Sequence, residues 1–180
     1  MRRRHLLAST ALFAATAGCF ADDRSPTETD DPPTPPAVTE LEGDAADPPL
    51  SLFARDLGVD GADDATAAIA VRIGDDGGSH WVVAMADTDD AIETTVSVAR
   101  SDSSDEPLYE ATVGLSRSTY AAVNLRERDR YAIAFEWDDH REVVTVAERY
   151  VDCNESTGAV LLDPDGEAAI VEETELTECN

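Results

Sequence analysis

Lysine is absent from this chain. All 13 basic residues are arginines, and they face 39 aspartates and glutamates, a formal net charge of −26 over 180 residues. So few cations exclude a nucleic-acid-binding surface, because affinity for a polyphosphate rests on many Lys and Arg contacts. Anionic headgroups are repelled by the same acidic surface. Cysteine and histidine are scarce, with three of each, which leaves little for a centre built on thiolate and imidazole ligands. Glycine is sparse, and its one cluster, Gly74-Asp75-Asp76-Gly77-Gly78, would repel a phosphate rather than cradle it. No apolar run reaches the roughly 20 residues that a membrane-crossing helix needs.

An acidic chain without a hydrophobic pattern would be read as disordered. Here 42% of the residues are apolar, and from Ala65 onward they alternate in strand-like runs. That combination predicts a folded domain with an acidic skin. The lysine-free, Ala- and Val-rich composition resembles that of proteins from salt-loving archaea. Its physical reading is self-repulsion at low salt, relieved when molar salt shortens the Debye length to about 3 Å.

Residues 1–18 read as a signal peptide. Arg2, Arg3 and Arg4 form a positive n-region, and Leu6 to Ala17 a short apolar stretch of 12 residues. Arg3-Arg4-His5-Leu6-Leu7 resembles the twin-arginine export motif, whose route carries folded proteins. Thr16-Ala17-Gly18-Cys19 resembles a lipobox, with Thr16 where leucine is usual. That resemblance implies cleavage before Cys19, lipidation of its thiol and attachment to the membrane. One acyl chain holds marginally and two hold firmly; archaeal lipoproteins imply a two-chain isoprenoid lipid.

Residues 19–50 read as a disordered acidic tether after the lipidated cysteine. Seven of the nine prolines fall here, and nine acids face Arg24 alone. Proline removes donors, like charges extend the chain, and little apolar area is present to offset the entropy of ordering. Thr27, Thr29 and Thr34 are candidates for O-linked sugars on such a stalk, or ordinary linker residues.

Residues 51–180 are predicted to be all-β. Period-two runs occur at Ala67–Ile73, Trp81–Met85, Ile92–Val98, Tyr109–Leu115, Ala121–Leu125, Tyr131–Trp137 and Val143–Val151. Two shorter runs lie at Val160–Leu162 and Ala168–Val171. Short strands separated by polar turns favour an antiparallel β-sandwich of about seven to nine strands.

Leu125 precedes Tyr131 across the polar stretch Arg126-Glu127-Arg128-Asp129-Arg130. This resembles the tyrosine corner of immunoglobulin-like and fibronectin type III domains, without the usual Pro-Gly. The run from Trp81 to Trp137 is similar to the Ig-like domains of haloarchaeal surface lipoproteins. The resemblance implies an Ig-like sandwich displayed outside the cell and carries no catalytic motif.

With Cys19 assigned to the lipid, Cys153 and Cys179 remain as a pair in an oxidising compartment, and a disulfide closing a C-terminal hairpin is expected. Asn154-Glu155-Ser156 matches the N-glycosylation sequon, so Asn154 is a candidate acceptor. A copper site would draw on His80, His140, Met85 and Cys153, but no His or Met follows either late Cys at the close spacing such sites use. Both histidines sit beside turns and are expected to be exposed. Ser79 adjoins His80, yet a catalytic dyad needs side chains that face each other. No catalytic residue, metal or cofactor is expected.

Acids cluster at Asp60–Asp64, Asp75-Asp76, Asp87–Asp90 and Asp163–Glu167. None matches an EF-hand loop, and Asp163-Pro164-Asp165-Gly166 reads as a β-turn. The sequence therefore predicts a lipid-anchored extracellular module, not an enzyme, that acts by binding or as envelope structure, with an unidentified envelope protein as partner. The alternative is an ion or small-ligand binding protein that uses the acidic end loops.

Overall fold

The computed structural model describes residues 34–75, 78–102, 106–151 and 155–175. Cys19, Cys153, Asn154 and Cys179 lie outside the described residues, as does the expected signal peptide. The chain divides into residues 1–33 and a compact unit of residues 34–180.

That unit is all-β, and ten strands form among its described residues: β1 (Val38–Glu40), β2 (Thr66–Ile73), β3 (Ser79–Ala86), β4 (Ile92–Arg100), β5 (Tyr109–Leu115), β6 (Thr119–Leu125), β7 (Tyr131–Trp137), β8 (His140–Val146), β9 (Glu155–Leu162) and β10 (Ala168–Glu175). They build a six-stranded sheet in the order β1-β2-β6-β3-β9-β10 and a four-stranded sheet in the order β5-β4-β7-β8. Each of the nine expected runs contributes a strand, but the run expected over Val143–Val151 is strand only to Val146 and then turns through a short 3-10 segment at Glu148–Tyr150. Two pairings, β2–β6 and β3–β9, run parallel, where antiparallel pairing throughout was expected. Period-two alternation is the same in either direction, so it carries no information on the sense of a neighbour.

The strand beyond the expected seven to nine is β1, inside the stretch read as tether. It pairs antiparallel with β2, Val38 opposite Ile73 and Glu40 opposite Val71. The expected tether over 19–50 is therefore too long, since residues 34–50 belong to the compact unit. Pro36 and Pro48 are buried, and the buried Tyr120 hydroxyl donates to the Ala46 carbonyl at 2.9 Å. Prolines that looked like spacer residues instead flank a short edge strand and a helix start, positions that tolerate a missing N–H.

A short helix, α1 (Ser51–Asp56), follows Pro48-Pro49 and buries Leu52 and Phe53. With Ala46, Val59 and Ala62 it covers the outer face of the six-stranded sheet, against Ala70, Val83, Met85, Tyr120, Ala122 and Leu161. The opposite face of that sheet packs on the four-stranded sheet, where Val82, Val96, Val123, Ile133, Phe135 and Val160 meet. Strands β3, β6 and β9 are thus covered on both sides and read as nearly continuous apolar runs. Full burial of each large side chain contributes about 1.5–3 kcal/mol.

The two ends of the sandwich differ. One carries the β3–β4, β5–β6, β7–β8 and β9–β10 turns and the segment leading into β2. The other receives the incoming chain, because β1 starts opposite the last residue of β2. There the Gly74 N–H donates to the Ala37 carbonyl at 2.7 Å. Gly74 has φ +83, and a Cβ would lie 2.7 Å from the Glu127 nitrogen, so both conformation and space call for glycine.

An acidic end with a candidate binding groove

The turn-bearing end collects three of the four acidic clusters. Between α1 and β2, Gly58 and Gly61 adopt left-handed φ values of 72 and 77. They let the chain bury Val59 and Ala62 while Asp60, Asp63 and Asp64 stay exposed. In the β3–β4 turn the Asp87 N–H donates to the Leu162 carbonyl at 2.8 Å. The β9–β10 turn closes as the β-turn read from its sequence: the Gly166 N–H donates to the Asp163 carbonyl at 3.0 Å, and Asp163 Oδ1 accepts from the Asp165 N–H at 2.7 Å. A small cavity of about 200 Å³ places Asp87 beside Asp163 and Glu167.

A groove of about 510 Å³ lies between the segment before β2 and the β3–β4 and β5–β6 turns, lined by Asp60, Asp64, Asp89, Arg117, Gly58 and Gly61. Arg117 is its cation. The Arg117 Nε and Nη2 donate to Asp87 Oδ1 at 2.8 and 2.7 Å, and Asp89 stands 3.6 Å from the guanidinium. The hydrogen-bonded Asp87 carboxylate holds the Arg117 pKa above its ordinary value. Its backbone N–H also donates to the Thr88 carbonyl at 2.8 Å, fastening the β5–β6 turn to the β3–β4 turn. The groove offers exposed carboxylates to a cationic or hydrogen-bond-donating ligand. Among the described residues no three His, Cys, Asp or Glu converge closely enough to hold a metal ion.

The fourth cluster lies elsewhere: Asp75 is at the entry end, 3.4 Å from Arg72, and Asp76 is outside the described residues. The residues considered for copper are also dispersed. Met85 packs under the helical layer. His140 stands at the acidic end, 5.7 Å from the Trp137 ring between centroids. His80 is the second residue of β3, at the entry end.

His80 departs from expectation, because it is 2% exposed. It follows the β2–β3 turn, which suggested solvent, but it keeps the inward phase of Val82 and Ala84. Its Nδ1 lies 2.6 Å from Ser156 Oγ, and Ser156 Oγ donates to the Tyr150 carbonyl at 3.1 Å. With that hydroxyl hydrogen engaged, the network assigns the imidazole proton to Nδ1, which donates to Ser156. Nε2 is then a buried acceptor with no partner among the described residues. Burial lowers the His80 pKa to about 4. Ser79 instead donates to Asn124 Oδ1 at 3.2 Å, so the sequence neighbours do not form a dyad. The Ser156 proton points to a carbonyl rather than to the imidazole, an arrangement that does not activate a nucleophile.

Sequence reasoning missed Arg117 and the His80–Ser156 pair. The former was legible as a lone arginine in a turn facing acidic turns; the latter needed the β3–β9 pairing, which sets His80 opposite Ser156. Compared with models of known protein families the chain matches none, and comparison with curated proteins finds no match.

Proposed function

We propose that this chain is an exported lipoprotein, held to the cell membrane by a lipid on Cys19 and displaying its β-sandwich on the extracellular side as a binding or envelope-structural module. The observation that carries this reading is the leader. Three arginines and the largely apolar 12-residue stretch Leu6 to Ala17, its last residue forming a small pair with Gly18, run directly into Cys19, the order that export and lipid attachment require. A compact unit starting at Thr34 leaves residues 20–33 as a spacer, shorter than the sequence alone implied. No helix among the described residues is long and apolar enough to cross a membrane. The acidic, lysine-free surface supports a salt-adapted setting, and the Tyr131 corner supports the Ig-like resemblance. Intact mass of the protein extracted from membranes tests the reading. The expected species begins at Cys19 and carries added lipid mass; an unmodified chain that retains residues 1–18 or begins elsewhere overturns it.

A second reading is favoured by the groove at the acidic end, where two separate acidic loops and Arg117 meet. On that reading the module binds a small cationic ligand. Calorimetric titration with spermidine and with calcium chloride tests it. Saturable heat that Asp60→Asn and Asp89→Asn both weaken supports a groove ligand, and the absence of saturable heat with either probe removes this reading.

A further inference from the structure

We infer that the sandwich is presented on the membrane with a defined polarity, its entry end toward the headgroups and its acidic end toward the medium. The inference rests on the lipid-anchored reading above and adds an orientation to it. The register of β1 on β2 brings the chain into the domain beside Ile73, so a membrane attachment upstream of Thr34 pulls on that end alone. The open end of the β9–β10 hairpin, where Glu155 pairs with Glu175, lies at the same end. The candidate bridge and sequon residues therefore follow or precede strand ends located there.

Charge is divided the same way. The turns at the acidic end, residues 57–65, 87–91, 116–118, 138–139 and 163–167, contain one arginine, Arg117. Arg72, Arg100, Arg126, Arg128, Arg130 and Arg149 all lie at or next to the entry end. Several are held among acids there: Arg100 contacts Glu127 and Asp129 at 2.8 and 2.7 Å, and Arg128 contacts Glu148 at 3.0 Å. The entry end is thus a mixed surface of arginines and acids, still net negative, whereas the turns at the other end hold 11 acids against Arg117, with Arg141 next to them. An anionic leaflet repels the acidic end more strongly. Attachment and repulsion act in the same sense. The face that meets soluble partners is then the groove of Asp60, Asp64, Asp89 and Arg117.

The two ends are separated by the length of a strand. β2 has eight residues, a span of about 26 Å at the usual rise per residue, which is resolvable by energy transfer. The test uses the full chain with its lipid, reconstituted into phosphatidylglycerol vesicles that carry a headgroup-attached acceptor. A donor dye is placed by maleimide chemistry on Asp63→Cys at the acidic end or Arg130→Cys at the entry end. Both positions are exposed, and the parent chain labelled in parallel supplies the background. The expected result is energy transfer at least about twofold higher from position 130 than from position 63, given that separation. Vesicle-bound protein with equal transfer from the two positions, or more from position 63, overturns the orientation and leaves the anchor standing. Protein that does not stay with the vesicles overturns the anchor and the orientation together.

Discussion

The Tyr131 hydroxyl donates to the carbonyl of Glu127, four residues upstream, at 3.0 Å. Tyr131 opens β7 in the four-stranded sheet and Glu127 sits in the stretch that leaves β6 in the other sheet, so this bond pins the crossing between layers. Arg100 braces the same stretch through Glu127 and Asp129. The ring is fully buried, and burial pushes the phenol pKa well above its usual value, which keeps it a neutral donor. Tyr131→Phe removes the donor and leaves the ring. It should cost about 1 kcal/mol and lower the Tm by roughly 3 °C for a unit of this size. An unchanged Tm would show that solvent satisfies the Glu127 carbonyl equally well.

His80 makes stability depend on acidity. Its folded pKa is lowered to about 4 by burial, against 6.5 for the exposed imidazole, so the unfolded chain takes up the proton first. The contribution of the neutral, buried ring is fully present above about pH 6.5 and is lost as the pH falls toward 4, on the order of 3 kcal/mol in all. Urea unfolding of the wild type and His80→Gln at pH 7.5, 6 and 5 isolates it from the carboxylates, which titrate in both. The wild type should lose more stability than the variant over that range. Parallel losses would mean that His80 is hydrated in the folded state.

Salt should stabilise the domain. Its arginines are mostly engaged already, as in Arg55–Glu173 at 2.9 Å and Arg141–Glu136 at 2.8 Å, while acids outnumber them by more than three to one. The Tm of residues 34–180 should rise steadily from low salt to 2 M KCl, as screening weakens their mutual repulsion. A flat or falling Tm would refute the salt-adapted reading.

A Cys153–Cys179 bridge would clamp the open end of the β9–β10 hairpin. The described register ends at Glu155 opposite Glu175, two residues after one cysteine and four before the other. Closing a 26-residue loop is worth roughly 3–4 kcal/mol on loop entropy. Cys153→Ser, Cys179→Ser and the double variant should lose similar amounts, because each removes the same crosslink. Non-reducing mass spectrometry of fresh exported protein should show both thiols oxidised. Two free thiols would contradict the bridge.

Much of the sandwich was legible because alternation is a direct image of a strand with one wet face. Tyr131 to Trp137, alternating with Ala132, Ala134 and Glu136, needed no tertiary knowledge. The helical layer was not legible. Ala46, Leu52, Phe53, Val59 and Ala62 follow no single period, and the prolines around them imitate a linker. One signal did point to it: Trp81 to Ala86 is apolar at every position, a pattern that calls for cover on both faces. At the candidate site, the acidic loops were visible as composition, but their gathering at one end depends on strand order. His80 was misread because a turn neighbour suggests exposure, whereas the phase set by Val82 carries it inward.

The central claim is that Cys19 anchors the domain outside the cell. Expressing the wild type and Cys19→Ser in the same host, followed by separation of membranes, soluble contents and medium, tests it most directly. The account predicts wild-type protein in the membrane fraction, accessible to protease added to intact cells, and the variant shifted out of that fraction. Identical partitioning of the two proteins would contradict it.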